Sequence, residues 1–130
     1  MRTVVVTAIG SFSADIVIKK CRENGMRVIG CDVYPGEWIA DAGNVDAFYQ
    51  VPYASDTDHY IETMLSICRK EGAKAVIPLT DAEIDVFNLH RLEFGEIMSP
   101  YVCRTRACSR TCAATRWSCT VIWRSTWREP

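Results

Sequence analysis

Apolar residues in this chain form short unbroken runs that alternate with stretches of helical spacing, from the N-terminus to about residue 92. Between Arg2 and Ile9 the β-branched run Thr3-Val4-Val5-Val6-Thr7 predicts a strand buried on both faces of a parallel sheet. Gly10-Ser11 breaks it. From Phe12 to Glu23, Ala14, Val17, Ile18 and Cys21 recur at helical spacing, with Ser11 or Ser13 to supply an N-cap oxygen and Asn24-Gly25 as the stop. Met26 to Val33 predicts a second strand and Tyr34-Pro35-Gly36 a turn, whereas residues 37 to 45 show no clear period. Ala47 to Val51 predicts a short third strand, ended by Pro52. Tyr60, Ile61, Met64, Leu65, Ile67 and Cys68 form the stripe of a helix opened by Asp56 or Thr57 and closed by Gly72. Ala73 to Leu79 predicts a fourth strand, and Thr80-Asp81-Ala82-Glu83 opens a helix to about Leu92 that turns Ile84, Phe87 and Leu92 inward.

Strands alternating with helices predict an α/β fold, a Rossmann-like parallel sheet of about four strands with helices on both faces. Right-handed crossovers gather the loops after the first, second and fourth strands at one edge, where open α/β sheets bind ligands. With 130 residues, 48% of them hydrophobic, the chain has material for one domain with a true core. No apolar run approaches the roughly 18 residues of a membrane-spanning helix, and the N-terminal run reads as a strand and not a signal peptide, so no membrane partner is expected. Seven cysteines without an export signal point to a reducing cytoplasm.

Charge divides the chain at Pro100. Residues 1–100 carry 9 Lys and Arg against 15 Asp and Glu, whereas residues 101–130 carry 6 Arg and a single acid, Glu129. That tail also holds four of the seven Cys and three of the four Trp, with no Gly, Leu or Lys. The expected organisation is therefore a Rossmann-like domain over 1–100 and an atypical, poorly ordered Cys/Arg/Trp-rich tail over 101–130. Its spacing of Cys103, Cys108, Cys112 and Cys119 lacks the paired knuckles of a structural zinc site, so no metal is expected. Its Arg and Trp have no supporting fold, so no nucleic acid is expected either.

The candidate chemistry lies at the predicted sheet edge. Gly10-Ser11 occupies the place of a dinucleotide-binding turn, yet only Gly10 lacks a Cβ there, so the glycine fingerprint fails and argues against a nucleotide-dependent oxidoreductase. A tight strand-to-helix turn explains it, and a small anion at the helix start remains open. Asp32 ends the second strand, either facing a substrate hydroxyl or amine or lying solvated in a loop. Thr80 and Glu83 read as a reciprocal capping box, which accounts for both without a ligand; Asp81 is left exposed in the first helical turn. The candidate substrate-binding set is thus Gly10, Ser11, Asp32, Thr80, Asp81 and Glu83. His59 and His90 form no triad, and Cys21, Cys31 and Cys68 read as small core hydrophobes, so no catalytic residue is assigned.

Taken as a set, Val4-Val5-Val6-Thr7-Ala8-Ile9-Gly10, Val28-Ile29-Gly30-Cys31-Asp32, Val51-Pro52-Tyr53, Ala75-Val76-Ile77-Pro78-Leu79-Thr80-Asp81-Ala82-Glu83-Ile84 and Gly95 resemble the N-terminal, pre-ATP-grasp domain of ATP-grasp ligases, closest to carbamoyl-phosphate synthase large-chain-like proteins. The resemblance implies a sheet of order 3-2-1-4 that lends loops to the acceptor substrate, with Gly95 opening a further strand. It also implies that ATP and Mg2+ bind in following subdomains that this chain lacks, leaving it without a cofactor of its own and inactive alone. Where the family continues with its first ATP-grasp helix, the change to Cys, Arg, Thr and Trp is what a shifted reading frame or truncation produces; an evolved tail is the alternative. A stand-alone module binding a small anionic metabolite or nucleotide is the competing function, and a homodimer is a further expectation.

Overall fold

A computed structural model describes residues 2–95. Its elements run β1 (Thr3–Val6), α1 (Ala14–Glu23), β2 (Arg27–Asp32), two 3-10 turns (Gly36–Trp38 and Ala40–Asn44), β3 (Ala47–Gln50), α2 (Thr57–Glu71), β4 (Ala75–Ile77), α3 (Asp81–Leu89) and α4 (Arg91–Gly95). The strands pair in parallel in the order β3-β2-β1-β4, with Val5 opposite both Ile29 and Val76, and Ile29 opposite Ala47. This is the expected α/β sheet in the expected order. Among the described residues no helix is long and apolar enough to cross a membrane.

Strand alternation divides the core between the two faces. Val4, Val6 and Val28 pack with Ala14, Ile18 and Cys21 of α1, and Ile39 and Val45 from the segment before β3 close the same cluster. Gly30 makes that closure feasible: a Cβ there would lie 2.7 Å from Ile9 Cδ1 and 3.1 Å from both Val45 methyls. The opposite face, carrying Val5, Ile29 and Cys31, is covered by α2 and α3, which bury Tyr60, Met64, Cys68, Val86 and Phe87. The Tyr60, Phe87 and Phe94 rings meet edge to face, with successive centroids 5.9 and 4.9 Å apart. Gly72 ends α2 in the left-handed conformation, φ +62°, as its position predicts.

Several local expectations are corrected. Ser13 and Asp56 stand at N-caps without a side-chain capping bond, and the stretch 37–45, left unassigned by its pattern, holds most of the two 3-10 turns. The last predicted helix is two helices, broken at His90 (φ −102°, ψ 17°). Its inward face also differs: Ile84 and Leu92 are 38% and 81% exposed, whereas Glu83, Val86 and Phe87 are buried together with Phe94 of α4. The inward stripe is i, i+3, i+4 from a carboxylate, and periodicity reads a carboxylate as a solvent position. Gly95 falls within α4, and the strand expected to open there lies outside the described residues. Expectations for residues 101–130, including the cysteine spacing and the non-native tail, lie outside the described residues.

Candidate functional site

Parallel strands carry the loops after β1, β2 and β4 to one edge, and five of the six predicted residues sit in or at the mouths of those loops. The turn after β1 is set by backbone geometry. Ala8 adopts φ +50°, Ile9 N–H bonds Cys31 O at 3.2 Å, and Ser11 N–H closes onto Ala8 O at 2.9 Å. A non-glycine residue held in the left-handed region is strained, and such strain collects where surrounding structure over-determines a turn. The tight turn expected at Gly10-Ser11 is present, with the positive φ at Ala8 and not at Gly10. What the missing side chain of Gly10 permits is close approach, since a Cβ would stand 3.1 Å from Asp32 Oδ2.

Asp32 lies 5% exposed at the end of β2, so it is not a solvated loop residue. Its Oδ2 accepts Gly10 N–H at 2.8 Å and its Oδ1 accepts Tyr34 N–H at 3.1 Å. Both oxygens bind backbone amides, so the carboxylate ties the loop after β1 to the loop after β2 and fixes where Gly10 sits. Gly10 is exposed and Ser11 half-buried. The Ser11 hydroxyl oxygen is buried without a hydrogen-bond partner among the described residues. An orphaned hydroxyl in a loop is costly unless something else satisfies it.

The corner between β4 and α3 departs furthest from expectation. Thr80 is the N-cap residue of α3, in extended geometry, but makes no side-chain capping bond. Its hydroxyl donates to Glu83 Oε2 at 2.8 Å. Glu83 does not return to the cap amide; it is 6% exposed and also accepts Thr7 Oγ1–H at 2.7 Å on Oε2 and Tyr60 O–H at 2.9 Å on Oε1. The reciprocal capping box is therefore replaced by a buried carboxylate with hydroxyl donors from the residue after β1, from α2 and from the N-cap of α3. Burial pushes the Tyr60 phenol far above its ordinary range and the neighbouring Glu83 charge adds to this, so Tyr60 keeps its proton and donates. Asp81 is exposed in the first turn of α3.

The structure thus brings Gly10, Ser11 and Asp32 together as one unit, and Thr80 and Glu83 as another. Thr7 and Tyr60 were missed. A phenol in an apolar helical stripe carries a signal, since a buried tyrosine hydroxyl needs a partner, but nothing in the sequence names Glu83 as that partner. Around this edge stand Phe12, Tyr34 and Trp38, which are 104%, 50% and 74% exposed; the rings of the last two stack with centroids 6.3 Å apart. A groove of about 490 Å³ runs elsewhere, between β3 and α2, lined by Tyr49, His59, Glu62 and Lys70 among others, and none of the six predicted residues borders it.

Comparison with known proteins supplies the family. Residues 4–101 match the model of the PylC-like, N-terminal domain, a match that ends where the composition changes. No curated protein matches the chain. Among solved structures, the fold is similar to the biotin carboxylase domain dimer of the Hydrogenobacter thermophilus 2-oxoglutarate carboxylase, solved with MgADP, ADP and bicarbonate. The TM-score is 0.55 at 20% identity, over 74% of this chain and 21% of that one. The chain thus spans about a fifth of that structure's length. With the family model covering most of the chain and the sheet order expected of such a domain, this protein belongs to the PylC-like N-terminal domain family, the pre-ATP-grasp domain of ATP-grasp ligases.

Proposed function

We propose that the chain is the substrate-side domain of an ATP-grasp carboxylate–amine ligase of carbamoyl-phosphate synthase-like type, working in the cytoplasm, and that its sheet edge holds a small anionic substrate bearing an amine or hydroxyls. The observation that carries this reading is the pair of buried carboxylates, Asp32 and Glu83, each used internally to fix a loop at the same edge. The first-turn amides of α1 and the Ser11 hydroxyl suit a carboxylate or phosphate, because a helix leaves its first amides without intrahelical acceptors. The Thr80 oxygen, its proton committed to Glu83, and the exposed Asp81 suit an N–H or O–H donor.

Among the described residues no group of three or more His, Cys, Asp or Glu side chains could hold a metal ion, so these residues do not fit a Mg2+ site. ATP and Mg2+ are assigned to the subdomains that follow in the family, and Phe12, Tyr34 and Trp38 to contact with them. On this reading the domain binds but does not turn over. A homodimer, tested by light scattering, belongs to the same proposal, since the similar solved structure is described as a dimer.

Titration of the full chain with inorganic phosphate and with L-alanine, followed by amide chemical shifts, tests the reading. Phosphate is expected to move Gly10 and Ser11, the amino acid Thr80 and Asp81, and ATP hydrolysis is expected to stay at background. No response at Gly10, Asp32 or Asp81 leaves only a scaffold and sinks the proposal. Mg2+-dependent turnover that disappears on Asp32→Ala overturns the assignment of catalysis to other subdomains.

A further inference from the structure

Glu83 joins residues far apart in the chain: Thr7 lies 76 positions away and Tyr60 lies 23 away. The Thr7, Tyr60 and Thr80 hydroxyls all donate to it, so each spends its proton on the same carboxyl group. Among the described residues no ion pair reaches it, so it is held by neutral hydroxyl donors and not by a cation. An isolated cap would be satisfied by Thr80 bonding a first-turn amide. Here that hydroxyl is turned to a carboxylate that grips the end of β1 with the same oxygen. Thr7 immediately precedes the strained Ala8, so the shared Oε2 links the turn after β1 to the start of α3.

We propose that Glu83 is the positioning residue of the sheet edge: it sets the turn after β1 against the corner before α3 and orients the Thr80 hydroxyl so that its oxygen serves a ligand as an acceptor. The ligand part rests on the function proposed above; the coupling between loops does not.

Amide shifts and hydrogen exchange of the full chain test it. Thr80→Val removes one hydroxyl and is expected to perturb Ala8 to Ser11, which a local cap would leave untouched. That distant effect should shrink several-fold when Glu83→Gln is already present, and Thr80→Ser should restore the wild-type pattern. Should Glu83→Gln not fold, Thr7→Val replaces it in the cycle, and the effect of Thr80→Val on Ala8 to Ser11 should again shrink several-fold. Changes confined to the neighbourhood of residue 80, equal in both backgrounds, overturn the proposal and leave a structural carboxylate. Phosphate titration of the wild type separates the two readings. Coupling without a phosphate response overturns the binding function alone, and a phosphate response without coupling overturns the role of Glu83 alone.

Discussion

The two faces of the sheet are closed by different physics. On the α1 face, Val4, Val6 and Val28 meet Ala14, Ile18 and Cys21 in an apolar cluster, and the absent side chain of Gly30 lets Ile9 and Val45 close on it. On the α2 and α3 face, Val5 and Ile29 share the interior with Thr7, Tyr60, Glu83 and two thiols. Burial pushes the Cys68 thiol up to about 12 and the Cys31 thiol higher still, so both remain protonated and fill space as small hydrophobes. The apolar face is limited by volume. The other is limited by partners, because each of its hydroxyls is satisfied only through one carboxylate.

The largest expected effect comes from breaking that partner set. Glu83→Ala leaves the buried Thr7 and Tyr60 hydroxyls and the half-buried Thr80 hydroxyl without their acceptor, and each orphaned buried group costs roughly 1–3 kcal/mol. Urea unfolding should show a loss of about 3 kcal/mol or more, following from the same per-group range. A loss below about 1 kcal/mol would mean that the hydroxyls find other partners readily. On the apolar face the corresponding break is Gly30→Ala, whose added carbon would meet Ile9 at 2.7 Å. Overpacking of this kind costs about 1–3 kcal/mol, and Ile9→Val in the same chain should recover part of it, whereas it should recover nothing in Glu83→Ala.

The same division explains what could be read from the sequence. Periods of 2 and 3.6 report which residues are apolar, so the strands, the α1 stripe, the α2 stripe and the order of elements were all legible in Val4 to Val6, in Ala14 to Cys21 and in Tyr60 to Cys68. The α3 stripe was not legible, because its innermost member is Glu83 and pattern reading puts a glutamate outside. Thr80-x-x-Glu83 has the spacing of a capping box, and local spacing cannot tell whether the glutamate bends back to an amide or faces a tyrosine on another helix. Gly10 and Asp32 were both singled out, but their contact across 22 positions, which gives each its role, is tertiary.

A smaller effect sharpens the comparison at the far end of α2. Glu71 accepts Arg27 Nη1–H at 2.5 Å and a short hydrogen bond from the Tyr49 hydroxyl, so this helix is tied to β2 and β3 by a carboxylate near the surface, unlike the buried Glu83. The Tyr49 hydrogen bond, followed by that from Arg27, holds the Glu71 carboxyl below its ordinary value of 4.5. A depressed folded value means that the unfolded chain takes up the proton first as pH falls. The contribution of Glu71 is therefore complete above the ordinary value and is lost as pH drops through the folded one. In unfolding measured at successive pH values, Glu71→Gln should be less stable than wild type near neutrality, with the difference closing below about pH 4.5. A difference that stays constant with pH would assign the loss to packing of the side chain and not to its charge.

The smallest expected effect lies where the two faces join. Ala8 sits between Thr7, which is bound to Glu83, and Ile9, which packs on the α1 face, and it is forced to φ +50° by the turn between them. The left-handed region costs an L-residue roughly 1–2 kcal/mol, a cost that glycine avoids, while glycine loses about 0.5–1 kcal/mol more in chain entropy on folding than alanine. The two terms oppose each other and the first is larger, so Ala8→Gly should stabilise the domain by a few tenths to about 1 kcal/mol. Hydrogen exchange then distinguishes how the strain is held. If the Glu83 and Asp32 ties impose the turn, Ala8→Gly leaves the protection of Gly10 and Ser11 unchanged while global stability rises. Increased exchange at those two amides would instead show that the alanine Cβ, and not the buried carboxylates, keeps the turn in place.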